Sequence, residues 1–233
     1  MVIAVSGIDT GVGKTVATGM MSRALLQSGY RVMTQKMVQT GCSGIAEDVV
    51  EHRRLMGVGM QDVDHEGLTC PFVFGCPASP HLAAAIEGRE VDPAAITRAT
   101  RRLEERYEPV LLEGAGGLMV PLNKTTLLID YLAQSRYPLV LVSSSRLGSI
   151  NHTLLSLEAC SARGVRVAAL LYNRFSDASD TIAEDTRSVF EEAVRCQDGR
   201  SRVIDLPNAS HGVTDRFRQE MAAVIDSLEQ RNE

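Results

Sequence analysis

Short runs of consecutive apolar and β-branched residues alternate along the chain with longer stretches in which apolar positions recur every three or four residues. The first pattern predicts buried strands and the second predicts amphipathic helices. Residues 2–6 form a first apolar run, and 14 to about 28 read as a helix stopped by Gly29. Strand 30–36 and helix 46–56 follow, and then 70–80, dense in Pro and Gly, reads mostly as loop. Segments 80–87 and 93–106 read as helices, the second with Pro93 in its first turn. Strand 109–112 runs straight into Glu113-Gly114-Ala115-Gly116-Gly117, a glycine-rich turn. Beyond it the pattern predicts helix 127–135, strand 138–142, helix 150–162, strand 165–172, helix 183–196, strand 203–206 and a closing helix 214–230.

Near-continuous apolar strands separated by helices indicate a mostly parallel sheet with helices on both faces, an α/β fold. Such sheets bind ligands outside the carboxyl ends of their strands. The chemically suggestive segments fall there: 7–15 after the first strand, 36–41 after the second, 113–117 after the third and Asn173 after 165–172. No repeat or linker interrupts the 233 residues, which predicts one domain. Hydrophobic residues at 44%, charged residues at 23% and a net charge of −5 describe an ordinary soluble chain, unsuited to coating nucleic acid or an anionic membrane. No apolar run approaches a membrane span and no basic leader opens the chain. Five cysteines, an odd number without a Cys-x-x-Cys pair, fit reduced thiols in a cytoplasmic protein better than disulfides or a zinc site.

Gly7-Ile8-Asp9-Thr10-Gly11-Val12-Gly13-Lys14-Thr15 lies between a predicted strand and a predicted helix. Glycines let successive N–H groups turn inward on phosphate oxygens, and the helix start adds partial positive charge. Lys14 reaches terminal phosphates and the Thr15 hydroxyl suits Mg²⁺, as in a P-loop. One departure stands out: the usual spacing puts the first glycine at position 8, where this chain has Ile8. Glu113 and Asp48 are the carboxylate candidates for the metal. Glu113 ends a buried strand, where an unpaired carboxylate is costly, and a salt bridge is its alternative reading. Asp48 opens a helix, where acidic residues are commonplace. Lys36 ends an apolar strand at the ligand rim, either to offset developing charge or to reach water.

The same residues resemble the dethiobiotin synthetase family along nearly the whole chain. The phosphate loop, with its early glycine, is similar to the family's variant loop. Lys36-Met37-Val38-Gln39-Thr40-Gly41 resembles its Lys-Pro-Val-x-Ser-Gly, with Met37 for Pro and Thr40 for Ser. Pro77-Ala78-Ser79-Pro80-His81, Glu113-Gly114-Ala115-Gly116-Gly117 and Leu147-Gly148-Ser149-Ile150-Asn151-His152 resemble further family motifs. The resemblance implies an enzyme that carboxylates 7,8-diaminononanoate with CO2, phosphorylates the carbamate with ATP and closes a ureido ring. It implies Lys14, Lys36 and Thr10 as catalytic groups, and Thr15, Asp48 and Glu113 as Mg²⁺ ligands. Nucleotide contacts are implied for Gly11, Val12, Gly13, Lys14, Thr15, Val16, Asp48, Glu113, Gly114, Ala115, Gly116, Asn173 and Pro207. Substrate contacts are implied for Thr10, Lys36, Thr40, Gly148, Ser149, Ile150 and Asn151. It also implies a homodimer whose active sites are shared between chains.

Two other classes use this fold. Switch ATPases of the partitioning and site-selection kind carry a signature Lys near the loop's start, where this chain has Asp9. Amide-forming synthetases of the cobyrinate type need a glutaminase domain, for which 233 residues leave no room.

Overall fold

The computed structural model describes residues 1–174, 179–198 and 201–230. Six parallel strands form the central sheet in the order β2-β5-β1-β6-β7-β8. They are β1 (Val2–Gly7), β2 (Met33–Lys36), β5 (Val110–Gly117), β6 (Leu139–Ser144), β7 (Val167–Asn173) and β8 (Arg202–Asp205). A second, two-stranded parallel sheet pairs β3 (Gln39–Thr40) with β4 (Val73–Phe74).

Alternation along the strands divides the apolar residues into two cores. In β1, Val2 and Ala4 enter one core, while Ile3 and Val5 enter the other; Leu139 and Leu141 of β6 part from Val140 and Val142 in the same way. The first core is closed by α5 (Pro93–Glu104), α6 (Leu128–Ser135), α7 (Ser149–Ala162) and α8 (Asp180–Asp198). The second is closed by α1 (Lys14–Gln27) and α9 (Asp215–Glu229), with Leu55 of α2 (Glu47–Met56). Both faces of the sheet are therefore covered, which is why its strands are apolar on both sides. Helix starts follow local chemistry. The Asp92 side chain accepts from the Ala94 N–H ahead of Pro93, and the Thr214 hydroxyl accepts from the Phe217 N–H. Among the described residues no helix is long and apolar enough to cross a membrane.

Two expectations change. The second strand starts at Met33 rather than residue 30, because Arg31 turns aside into an antiparallel bridge with Glu108. The glycine-rich segment after Leu112 is not a turn: β5 continues to Gly117, which pairs with Gly7. The segment 70–80 is mostly loop, as expected, with the two-residue β4 pairing with β3. Two short elements complete the fold, α3 (Asp62–His65) and α4 (Pro80–Ile86).

Candidate active site

The chain leaves β1 at Gly7 and folds back at once. A Cβ on Gly7 would lie 2.6 Å from Val12 Cγ2 and 3.0 Å from the Asp9 carbonyl oxygen. That crowding explains the early glycine, while Ile8, in the place of the usual one, packs against both cores. Gly13 has φ 98° and caps α1, and a Cβ there would meet Asn173 Nδ2 at 2.5 Å. Asn173 Nδ2 donates to the Val12 carbonyl at 3.0 Å, so the end of β7 braces the loop from behind. Lys14 is buried and its Nζ donates to the Asp9 carbonyl at 2.8 Å. Burial and then the Lys36 charge push the Lys14 pKa down to about 8.

Lys36 and Glu113 are register partners across β2 and β5, so their side chains emerge side by side. Lys36 Nζ lies 2.6 Å from Glu113 Oε1, 2.6 Å from Asp48 Oδ2 and 3.2 Å from the Gly114 carbonyl. Burial alone would lower the Lys36 pKa, but the charges of Glu113 and Asp48 outweigh it and hold the value up at about 12. Thr15 Oγ1 donates to Glu113 Oε1 at 3.3 Å. His52 Nε2 approaches Glu113 Oε2 at 2.7 Å with both side chains fully buried. Burial would raise the Glu113 pKa, yet Lys36 and His52 drive it well below the usual carboxylate range. Asp48 and His52 stand one turn apart on α2, and the Asp48 N–H donates to Gln39 Oε1 at 3.4 Å.

Lys14, Thr15, Lys36, Asp48 and Glu113 line one cavity of about 460 Å³. It brings together Thr10, Gly11, Gly13, Lys14, Thr15, Val16, Lys36, Thr40, Asp48, Glu113, Ala115 and Gly116 from segments 7–16, 36–48 and 113–116. Val12 turns into the core beneath the loop. Gly114 serves packing, since a Cβ there would strike Leu128 at 2.6 Å. Asn173 ends β7 behind the loop and Pro207 lies two residues past the end of β8, and neither is among the cavity's lining. A second cavity of about 430 Å³ adjoins the first at Thr10. Leu118, Met119, Val120 and Leu155 make it largely apolar, and His152 lines its α7 side.

The segment at α7's start needs one correction. The N–H groups of 149–151 are not all open to a carboxylate. The Ser149 N–H donates to the Arg146 carbonyl at 3.0 Å, and the buried Ser149 hydroxyl bonds Ser144 at 2.8 Å. Gly148, Ile150 and Asn151 remain at the helix mouth. Of the two motif histidines, His81 Nδ1 pairs with Ser79 Oγ at 3.1 Å, and His152 Nδ1 lies 3.8 Å from the Asp9 carboxylate. His52 was not singled out from sequence; its signal was the four-residue spacing from Asp48.

The donor set fits Mg²⁺. Two carboxylates and a hydroxyl converge beside a phosphate-binding loop, all hard oxygen donors. Among the described residues no three His, Cys, Asp or Glu side chains form a self-sufficient metal cluster, so a cation here needs phosphate or water oxygens as well.

The chain matches the family described as an AAA domain over residues 2–211. It is 56% identical over 206 residues to the ATP-dependent dethiobiotin synthetase BioD of Chlorobaculum tepidum, covering 88% of this chain and 86% of that one. It is 49% identical over 183 residues to BioD 2 of Pasteurella multocida, covering 78% and 86%. Among solved structures, the pNOB8 ParA protein aligns with a TM-score of 0.58 at 16% identity, covering 97% of this chain and 98% of that one, a likeness of fold alone. With such identity over most of its length, the chain belongs to the ATP-dependent dethiobiotin synthetase family.

Proposed function

We propose that this protein makes dethiobiotin from 7,8-diaminononanoate, CO2 and ATP, releasing ADP and phosphate. The observation that carries the reading is the junction of two cavities at Thr10. One holds the phosphate loop and the charged groups of Lys14, Lys36, Asp48 and Glu113, and the other is largely apolar and has room for an aliphatic chain. One amine attacks CO2 and loses a proton to give a carbamate. A carbamate oxygen attacks the γ-phosphorus as ADP departs. The second amine then attacks the carbonyl carbon and loses a proton, phosphate leaves, and the ureido ring closes.

In this reading Lys14 holds the β- and γ-phosphates, exchanging its bond to the Asp9 carbonyl for phosphate oxygens. Lys36 offsets the charge that builds as the phosphoryl group passes to the carbamate. Thr10 and Thr40 receive the amine or carbamate at the junction. Thr15, Asp48 and Glu113 would hold Mg²⁺, which when bound would neutralise phosphate charge. Asn173 and Pro207 face adenine beside Gly11, Val12, Gly13 and Val16, and the backbone of Gly114, Ala115 and Gly116 borders the phosphates. Gly148, Ile150 and Asn151 receive the far carboxylate, with Ser149 fixing their turn. The active unit is a homodimer sharing these sites. Its support is the exposed apolar side chains Met119 and Leu155 lining the second cavity, with Leu147 and Leu154 exposed just before and along α7.

The test is ADP release with each component omitted in turn. Release requires the diamine and bicarbonate together, with a cyclic urea as product, because neither alone provides the acceptor. Equal release without the diamine overturns the reading.

A further inference from the structure

Glu113 has two carboxylate oxygens, and the cavity uses one of them. Oε1 meets Lys36 and Thr15, while Oε2 is met by His52 Nε2 at 2.7 Å. His52 is fully buried and does not line the cavity. An ionised carboxylate only accepts, so Nε2 carries the proton and donates. Nδ1 then has no hydrogen-bond partner among the described residues. A buried nitrogen without a partner destabilises a core, and an aliphatic side chain would avoid it. Packing alone therefore does not account for an imidazole here. The bond to Glu113 does: without it Oε2 loses its donor and the carboxylate is free to turn about its last torsion, taking Oε1 away from Lys36 and Thr15. The neighbouring Arg53 offers no substitute, since its guanidinium is spent on Asp64 and Thr34.

We propose that His52 is a positioning residue, which locks the Glu113 carboxylate so that Oε1 faces Lys36, Thr15 and the Mg²⁺ position. The inference rests on the reading that Glu113 is a metal ligand. Asp48 and His52, one turn apart, would then make α2 responsible for both carboxylates: it carries one and orients the other.

The test compares His52→Met, which fills the space without a donor, with His52→Gln, whose amide nitrogen reaches Oε2. Mn²⁺ binding to the ADP complex is followed by electron paramagnetic resonance, alongside thermal stability and the Mg²⁺ concentration giving half-maximal turnover. His52→Met is expected to stay folded, with a melting temperature lowered because a buried Glu113 oxygen loses its donor, and to weaken Mn²⁺ binding on the order of 10–100-fold, the usual effect of losing a group that orients a ligand. His52→Gln is expected to recover most of that loss. Unaltered Mn²⁺ affinity in His52→Met, or no recovery in His52→Gln at equal stability, overturns the inference. If His52→Met does not fold, His52→Asn replaces it: its amide is too short to reach Oε2, so equal affinity in the Asn and Gln variants overturns the inference as well. The unmutated protein tests the reading beneath it. No Mn²⁺ uptake by its ADP complex overturns both, whereas uptake unchanged by the variants overturns the inference alone.

Discussion

Helix α2 contributes to two clusters of buried charge. Asp48 and His52 face Lys36 and Glu113 at the cavity; Arg53, next in the chain, turns the other way to Asp64. The Arg53–Asp64 cluster is closed. Arg53 Nε and Nη2 reach the two Asp64 oxygens at 2.9 and 2.7 Å, and Nη1 takes Thr34 Oγ1 at 2.7 Å. Asp64 also accepts from the Gln61 N–H at 2.8 Å and from Thr69 Oγ1 at 2.7 Å. None of these residues lines the cavity. The Lys36 cluster has the same ingredients but opens on solvent through Asp48, whose side chain is 25% exposed. Both hang on one face of β2, since Thr34 and Lys36 are two residues apart. Burial and charge pairing alone do not separate a structural pin from a site; access to a cavity does.

Arg53→Met should widen this contrast most. Removing one partner leaves the Asp64 carboxylate buried and unpaired, at a cost of about 3–5 kcal/mol of stability. Urea unfolding measures it, and turnover per folded molecule should change only a few-fold. A loss of turnover matching Lys36→Ala, in a fully folded sample, would erase the distinction.

Lys36→Ala comes next. Removing a preorganised charge raises the barrier by about 2.7–4 kcal/mol, or ~10²–10³ in kcat, while ATP still binds. Its melting temperature should fall less than that of Arg53→Met. Glu113 keeps its bonds to His52 and Thr15 and lines a cavity rather than a closed core. Lost ATP affinity with turnover spared would reverse the assignment.

The smallest effect is in acid. Burial would raise the Asp64 pKa, but bonds from Arg53, the Gln61 N–H and Thr69 lower it below its ordinary 3.8. A depressed folded pKa means stability that is fully present above 3.8 and lost as pH falls through the folded value. Unfolding midpoints of the unmutated protein and of Arg53→Met/Asp64→Leu should therefore move in parallel from pH 7 to about 4.5. Below 3.8 the unmutated protein should fall faster, by at most about 1.4 kcal/mol per pH unit, the slope of one proton. Parallel lines throughout would show that Arg53 does not hold this carboxylate as drawn.

Much of this was legible in the sequence, for a physical reason. The strands are buried on both faces and leave continuous apolar runs, and a lysine or glutamate ending such a run is conspicuous, as Lys36 and Glu113 are. Asp48 was a weak candidate until the resemblance, because a first-turn acid has an ordinary explanation. His52 and Arg53 sat in a polar stretch of α2 that looks like a solvated face, yet both are buried. Their partners, Glu113 and Asp64, are 61 and 11 residues away, and no local pattern announces them. β3 and β4 escaped because two-residue strands have no period to detect. The glycines after Glu113 suggested a turn; their register with β1 is a property of the sheet, not of the segment.

The bond from Asn173 to the Val12 carbonyl bears on how fast nucleotide arrives. A glycine-rich loop left to itself samples many shapes, and a ligand that must select one binds slowly and weakly. Here the end of β7 presses against Gly13 and holds the loop in a curled form. The entropy of ordering that segment is surrendered when the chain folds rather than at each encounter. Capture of ATP is then governed by diffusion and orientation, and its dwell time by how firmly the loop keeps its shape.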